Sequence, residues 1–230
     1  MKRLGLIGGT SWESTAHYYR LLNEEAKRRL GGLHSADLLI RSVDFAPIAT
    51  LQHEENWDAV GDALAEEARR LEGAGAEAIL ICANTMHLVA PAIEARIAIP
   101  VINIIDAAAQ AVKAAGMRQP LLLGTRFTME HGFYENRMAE HGVELRIPDA
   151  AGRALLHRVI FDELCLGVVR EESRALWTDL VADHVARGAD SVIFGCTEIG
   201  MLLDPAALPA LAFDTAELHC RAGMDWALAD

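Results

Sequence analysis

A chain of 230 residues with 52% hydrophobic and 23% charged residues has material for one large domain or two small ones with buried cores. Its net charge of −12, from 21 basic and 33 acidic residues, excludes a broad electrostatic attraction to nucleic acid or anionic lipid. No apolar stretch approaches the roughly 18 residues of a membrane span, and the apolar run after Met1-Lys2-Arg3 is too short and glycine-broken for a signal peptide.

The four cysteines form no CxxC pair and no zinc-type spacing, so the expectation is a cytoplasmic protein with reduced thiols. The nine histidines fall into no metal-ligand spacing either, and no metal site is expected.

Short apolar runs of strand type alternate with helical patterns. A strand over 4–7 leads into the turn Gly8-Gly9-Thr10-Ser11, where Ser11 or Ser14 is placed to cap a helix running to about 29 and closed by Gly31-Gly32. A strand over 37–43 follows. His53-Glu54-Glu55 reads as the solvated start of a helix. Trp57, Val60, Leu64, Ala68 and Leu71 then recur on one helical face. A buried strand over 78–82 precedes a short helix over 85–95, a strand over 101–103 and a helix over 105–115. The cycle restarts with a strand over 120–126, a helix over 129–140, a strand over 143–147 and helices over 151–165 and 171–187. Strands over 191–194 and 211–213 and a helix from Thr215 complete it.

The strongest internal signal is a repeat. Gly75-Ala76-Glu77-Ala78-Ile79-Leu80-Ile81-Cys82-Ala83-Asn84-Thr85 superposes on Gly188-Ala189-Asp190-Ser191-Val192-Ile193-Phe194-Gly195-Cys196-Thr197-Glu198 at an offset of 113, and Gly8 matches Gly124 at an offset of 116. Two successive βα arrays imply two pseudo-symmetric α/β lobes, each a mainly parallel sheet flanked by helices. Residues 1–103 with about 214–230 are assigned to one lobe and about 104–213 to the other. Such sheets bind ligands beyond the C-terminal ends of their strands, so the site is expected in the cleft between the lobes.

Cys196 follows a buried strand at such an end, where a thiol beside N–H donors ionises readily and serves as base or nucleophile. Glu198 is better suited to a substrate ammonium than to activating that thiol, because a nearby carboxylate raises a thiol pKa. Cys220, and Cys82 or Cys165, fit buried small hydrophobes. The glycine turn matches no nucleotide motif and suits a carboxylate at a helix N-terminus. Trp12 is a candidate to shape the pocket, whereas Trp57, Trp177 and Trp226 occupy apolar helical positions.

Gly8-Gly9-Thr10-Ser11, Asn84-Thr85-Met86-His87 and Gly195-Cys196-Thr197-Glu198 together resemble the aspartate/glutamate racemase superfamily, in its bacterial amino-acid racemase branch. Gly31-Gly32-Leu33-His34-Ser35, Ser42-Val43-Asp44-Phe45, Gly124-Thr125-Arg126 and Glu163-Leu164-Cys165-Leu166-Gly167 extend the resemblance over essentially the whole chain. It implies a homodimeric isomerase that inverts a small amino acid, aspartate, glutamate or a relative, without pyridoxal phosphate or metal. One cysteine per lobe would exchange the α-proton on opposite faces. By the same resemblance Asn84, Thr85, Thr125 and Thr197 are the donors around the substrate carboxylate, Thr10 and Gln52 line the pocket, and Arg126 could add charge near a side-chain carboxylate.

The chain departs from that pattern at one position. The residue before the Asn-Thr pair is Ala83, not cysteine, and Cys82 points to the opposite face of its strand. Three functions therefore compete: a racemase with Cys196 as acid/base and an atypical opposing half-site, a single-thiol lyase or decarboxylase of the same superfamily, and a catalytically impaired amino-acid-binding variant.

Overall fold

The computed structural model describes residues 1–229, and the chain divides into two compact units. The first comprises Met1–Ile104 with the stretch from His219 onward, and the second Ile105–Leu218. The elements of the first unit are β1 (Leu4–Gly8), α1 (Trp12–Leu30), β2 (Leu38–Ser42), α2 (Phe45–His53), α3 (Trp57–Gly73), β3 (Ala78–Ile81), a 3-10 turn (Thr85–Val89), α4 (Ala90–Glu94) and β4 (Val101–Ile102). After α5 (Ile104–Ala114), the second unit carries β5 (Pro120–Leu123), α6 (Arg126–Glu130), α7 (Phe133–Glu140), α8 (Ala150–Asp162), a 3-10 turn (Leu164–Leu166) and α9 (Glu171–Ala186). Then come β6 (Ser191–Phe194), α10 (Ile199–Leu202), β7 (Leu211–Asp214) and α11 (Thr215–Leu228), whose C-terminal part returns to the first unit.

Each unit is built on a wholly parallel sheet, with strand order β2-β1-β3-β4 in the first and β5-β6-β7 in the second. The central strands are apolar on both faces, as a helix-covered parallel sheet requires: every residue of β1, β3, β5 and β6 is buried. On α3, the predicted stripe Val60, Leu64, Ala68 and Leu71 is buried against this first sheet, each fully buried leucine contributing roughly 2 kcal/mol. No helix among the described residues is long and apolar enough to cross a membrane.

The two sheets share one plan. β1 is flanked by β3 and β2, while β5 is flanked by β6 and, on its other side, by a single parallel bridge between Leu121 and Arg146. The expected strand over 143–147 is thus reduced to that bridge. The segment still tracks β5 through Glu144 N–H to Arg118 O, Arg146 N–H to Pro120 O and Leu122 N–H to Arg146 O, and Pro148, with no N–H to donate, ends it.

Other boundaries also differ from expectation for identifiable reasons. Pro91 sits in the first turn of α4, so the expected helix over 85–95 splits into a 3-10 turn and a short α-helix. Gly132, in the left-handed conformation (φ 74°), separates α6 from α7 where one helix was expected. His53 closes α2 instead of opening a helix, and Glu55 follows at φ 57°.

Candidate active site

In the first unit the strand ends converge on the turns after β1 and β3, neighbours in register from Leu4 with Ala78 to Ile7 with Ile81. Ser11 caps α1 by accepting the Ser14 N–H at 3.0 Å, and the Ser14 hydroxyl donates to Cys82 O at 2.7 Å, tying the helix start to the end of β3. Gly9 (φ 90°) lets the turn pass under the β2 end, where a Cβ would stand 2.2 Å from Val43 O. Thr10 is buried at 7% exposure, and its Oγ1 has no hydrogen-bond partner among the described residues. Asn84 and Thr85 are buried at the opening of the 3-10 turn. Gln52 is buried near the end of α2.

Ala83 is half-buried between Cys82 and Asn84, whereas Cys82 is fully buried and its thiol pKa is pushed up by desolvation. Cys82 therefore does not take the place of the missing cysteine. Behind the turn, His87 donates from Nδ1 to Ala83 O at 2.9 Å and accepts the Ile104 N–H on Nε2 at 3.2 Å, which fixes one neutral tautomer. His219 accepts from the Tyr18 hydroxyl on Nδ1 at 2.9 Å and donates from Nε2 to Ile102 O at 2.7 Å. Burial, with His87 nearby, lowers the His219 pKa to about 3. Sequence reading named His87 only as the last residue of the Asn84-Thr85-Met86-His87 signature and gave His219 no part. His219 lies in no motif, and only the tertiary contacts reveal that the two histidines brace the strand ends.

The second unit repeats the turn with a variation. Thr125 caps α6 by accepting the Thr128 N–H at 3.2 Å, as Ser11 does for Ser14. The two caps are 114 apart while Gly8 and Gly124 are 116 apart, so the first turn is two residues longer, and those residues place Thr10. The β6 end approaches β5 closely: Gly195 N–H donates to Leu123 O at 2.7 Å, and a Cβ on Gly195 would stand 2.8 Å from that oxygen.

Beyond Gly195 lies the densest chemistry of the chain. The Cys196 thiol donates to Glu198 Oε2 at 2.9 Å, and the Thr197 hydroxyl donates to the same oxygen at 2.7 Å. Glu198 is buried and Cys196 is half-buried. Desolvation first, then the charge and hydrogen bond of Glu198, hold the Cys196 thiol well above its ordinary pKa, against a weaker opposing pull from the Glu198 N–H. The expected ready ionisation of Cys196 is thus corrected: its dominant partner is a carboxylate, and the resting group is a protonated thiol.

Arg126 pairs with Glu130 at 3.7 Å and lies over the Phe127 ring, half-exposed to solvent. Trp12 is 68% exposed on α1, and Cys165 is exposed, not a core residue. No trio of His, Cys, Asp or Glu able to hold a metal occurs among the described residues.

This α/β plan and the strand-end signatures define the class: residues 7–223 match the Asp/Glu/Hydantoin racemase family, and the chain belongs to it. Among solved structures, it is 45% identical, with a TM-score of 0.94 over 100% of both chains, to a Yersinia pestis protein whose Asp/Glu racemase designation is provisional. It is 34% identical, with a TM-score of 0.88 over 100% of both chains, to an aspartate racemase homologue from Pyrococcus horikoshii. It is also 21% identical over 210 residues, 87% of each chain, to the broad specificity amino-acid racemase RacX of Bacillus subtilis.

Proposed function

We propose that the chain is a cofactor-independent amino-acid racemase in which Cys196 exchanges the α-proton on one face of the substrate. The observation that carries this reading is the Cys196–Glu198 pair at the end of β6. A racemase needs an acid and a base on opposite faces of a planar carbanion. The resting thiol, with its proton held against Glu198, is the acid. Having given that proton to a carbanion, it is left as the thiolate, which is the base for the reverse step.

Asn84, Thr85, Thr125 and Thr197, with the N–H groups of the capped helix starts, offer donors to the charge that develops on the substrate carboxylate. Thr10 Oγ1 belongs with them in this reading, since its buried oxygen has no partner among the described residues. Gln52 is a further lining residue, and Glu198 is the counter-charge for the substrate ammonium.

Ala83 carries no titratable group, so water or the Thr85 hydroxyl serves the other face. Proton exchange through Cys196 then outpaces inversion. Chiral chromatography alongside deuterium incorporation in heavy water tests this. Wild type should wash deuterium into the α-position at least tenfold faster than it inverts, and Ala83→Cys should raise inversion by about 10²-fold, the usual worth of a positioned acid or base. Equal wild-type rates, or an Ala83→Cys variant with unchanged inversion, would sink this division of labour. A cytoplasmic homodimer is part of the same proposal, read by light scattering at twice the chain mass.

One observation favours a second reading. A protonated thiol in one half of the repeat, with alanine at the matching position of the other, is also what a decarboxylase needs, since loss of carbon dioxide creates the carbanion and a single acid completes the reaction. Carbon dioxide release from substituted malonates, with no α-proton exchange of amino acids, would transfer the assignment to that lyase chemistry.

A further inference from the structure

Of the four cysteines, Cys82 and Cys220 are buried in the first unit, and Cys165 and Cys196 belong to the second. Cys196 leads into α10, its carbonyl accepting the Ile199 N–H at 3.2 Å. Cys165 is the middle residue of the 3-10 turn Leu164–Leu166. That turn packs against α10, with Cα atoms of the two elements within 8 Å of each other, so the two thiols stand on adjoining segments of one unit. They also sense each other: after desolvation and Glu198, the charge of Cys165 is a further influence opposing ionisation of Cys196.

The turn is held from one side. Leu164 is buried. Glu163 accepts the Ser173 hydroxyl on its side chain at 2.7 Å, and the Leu166 and Val168 N–H groups on its carbonyl, each at 2.9 Å. Beyond it Gly167 turns the chain at φ 72°, and Leu166, Val168 and Val169 are exposed. Cys165 rides on the exposed side of this turn, where little packing opposes a rotation of its side chain.

The two thiols suit different steps of one reaction. A thiol meets a peroxide as its thiolate and only where the oxidant can reach it. Cys165 has that access. Cys196 is half-buried with its proton against Glu198 at 2.9 Å, a poor target for a peroxide in solution. Attack on an oxidised sulfur in the adjoining turn is intramolecular, which offsets the small thiolate fraction. We propose that Cys165 is an oxidation site, and that Cys196 resolves its oxidised form as a disulfide within the chain. In the first step the Cys165 thiolate takes one oxygen of hydrogen peroxide, the O–O bond breaks, and the departing hydroxide takes up the thiol proton as water. In the second the Cys196 sulfur bonds to that of the Cys165 sulfenic acid, the S–O bond breaks, and hydroxide leaves with the Cys196 proton as a second water. Two thiols and one peroxide thus give one disulfide and two waters. The bridge occupies the sulfur to which proton exchange is assigned.

Hydrogen peroxide added to the reduced protein, then unfolding, capping of remaining thiols with iodoacetamide, and digestion with trypsin and a glutamate-specific protease read this directly. Cuts after Glu163, Arg170, Arg187 and Glu198 separate Cys196 from Cys220. Mass spectrometry should find residues 164–170 joined to 188–198, with the protein still of single-chain mass on a non-reducing gel and the link lost in dithiothreitol. Capping of Cys196 should fall about tenfold after peroxide in the wild type and stay at its unoxidised level in Cys165→Ser. Equal loss of Cys196 in both chains, Cys165 carried on to sulfinic acid with Cys196 still capped, or a link found only between two chains would each overturn the proposal. These readouts need no turnover, so the racemase reading stands or falls separately.

Discussion

Desolvation and, after it, Glu198 set the resting state of Cys196. A thiol that donates to a buried carboxylate at 2.9 Å gains nothing from ionising, because the thiolate would face a like charge in a poorly solvated place. Removing the charge while keeping the shape should reverse this. In a Cys165→Ser background, which silences the exposed thiol, alkylation of Cys196 by iodoacetamide should be slow at pH 8 in the wild-type site. Glu198→Gln should move its onset to lower pH by at least one unit. An unchanged or higher onset would show that desolvation alone sets the thiol. Cys82 should stay unreactive throughout, being fully buried. That Cys196 follows a buried strand was legible in the sequence. Its protonation state was not, because that depends on which way the Glu198 side chain turns.

At the scale of elements, the site is assembled by strand-turn-helix units whose turns leave almost no spare volume. Gly195 lies against Leu123 O with room for hydrogen only. Gly195→Ala should therefore cost about 1–3 kcal/mol in urea unfolding and slow proton exchange by displacing Cys196, whereas Gly73→Ala, with no heavy atom near the added methyl, should do neither. Equal stability of the two variants would contradict the close approach. The periodic elements were the readable ones: α3 declared itself through its apolar stripe, and β6 through an uninterrupted apolar run. By contrast α2, Phe45–His53, was not recognised, because Pro47 in its first turn imitates a break and its apolar residues form no clean stripe. Proline is tolerated there because the first N–H groups of a helix have no intrahelical partner. The bridge at Arg146 looked like a full strand, since alternation alone does not report how far pairing extends.

Across the whole molecule, the duplication seen as offsets of 113 and 116 corresponds to two parallel sheets of the same plan. The substituted half-site leaves that plan untouched, since Ala83 lies outside β3. Stability should nonetheless respond to acid through the buried histidine bracing the first unit. His219 has a folded pKa of about 3, below the ordinary value near 6.5 of an unfolded chain. Between those values the unfolded chain binds the extra proton, so stability rises with pH and is lost as pH falls from 6.5 towards 3. From pH 7 to pH 5 this one group should cost roughly 2 kcal/mol, and His219→Gln should lower the pH dependence of urea unfolding by about that amount. An identical slope in the variant would mean that His219 is not held neutral. Nothing in the sequence around His219 announces this role, because its partners Tyr18 and Ile102 are distant along the chain.

The central claim is that Cys196 carries the α-proton of an amino acid. Deuterium incorporation at the α-position of L- and D-amino acids in heavy water, compared between wild type and a Cys196→Ser variant of unchanged circular dichroism, addresses it most directly. Wild type should label at least one of these amino acids, and Cys196→Ser should lower that rate by 10²-fold or more. Labelling that survives in the variant, or its absence from the wild type, would contradict the account.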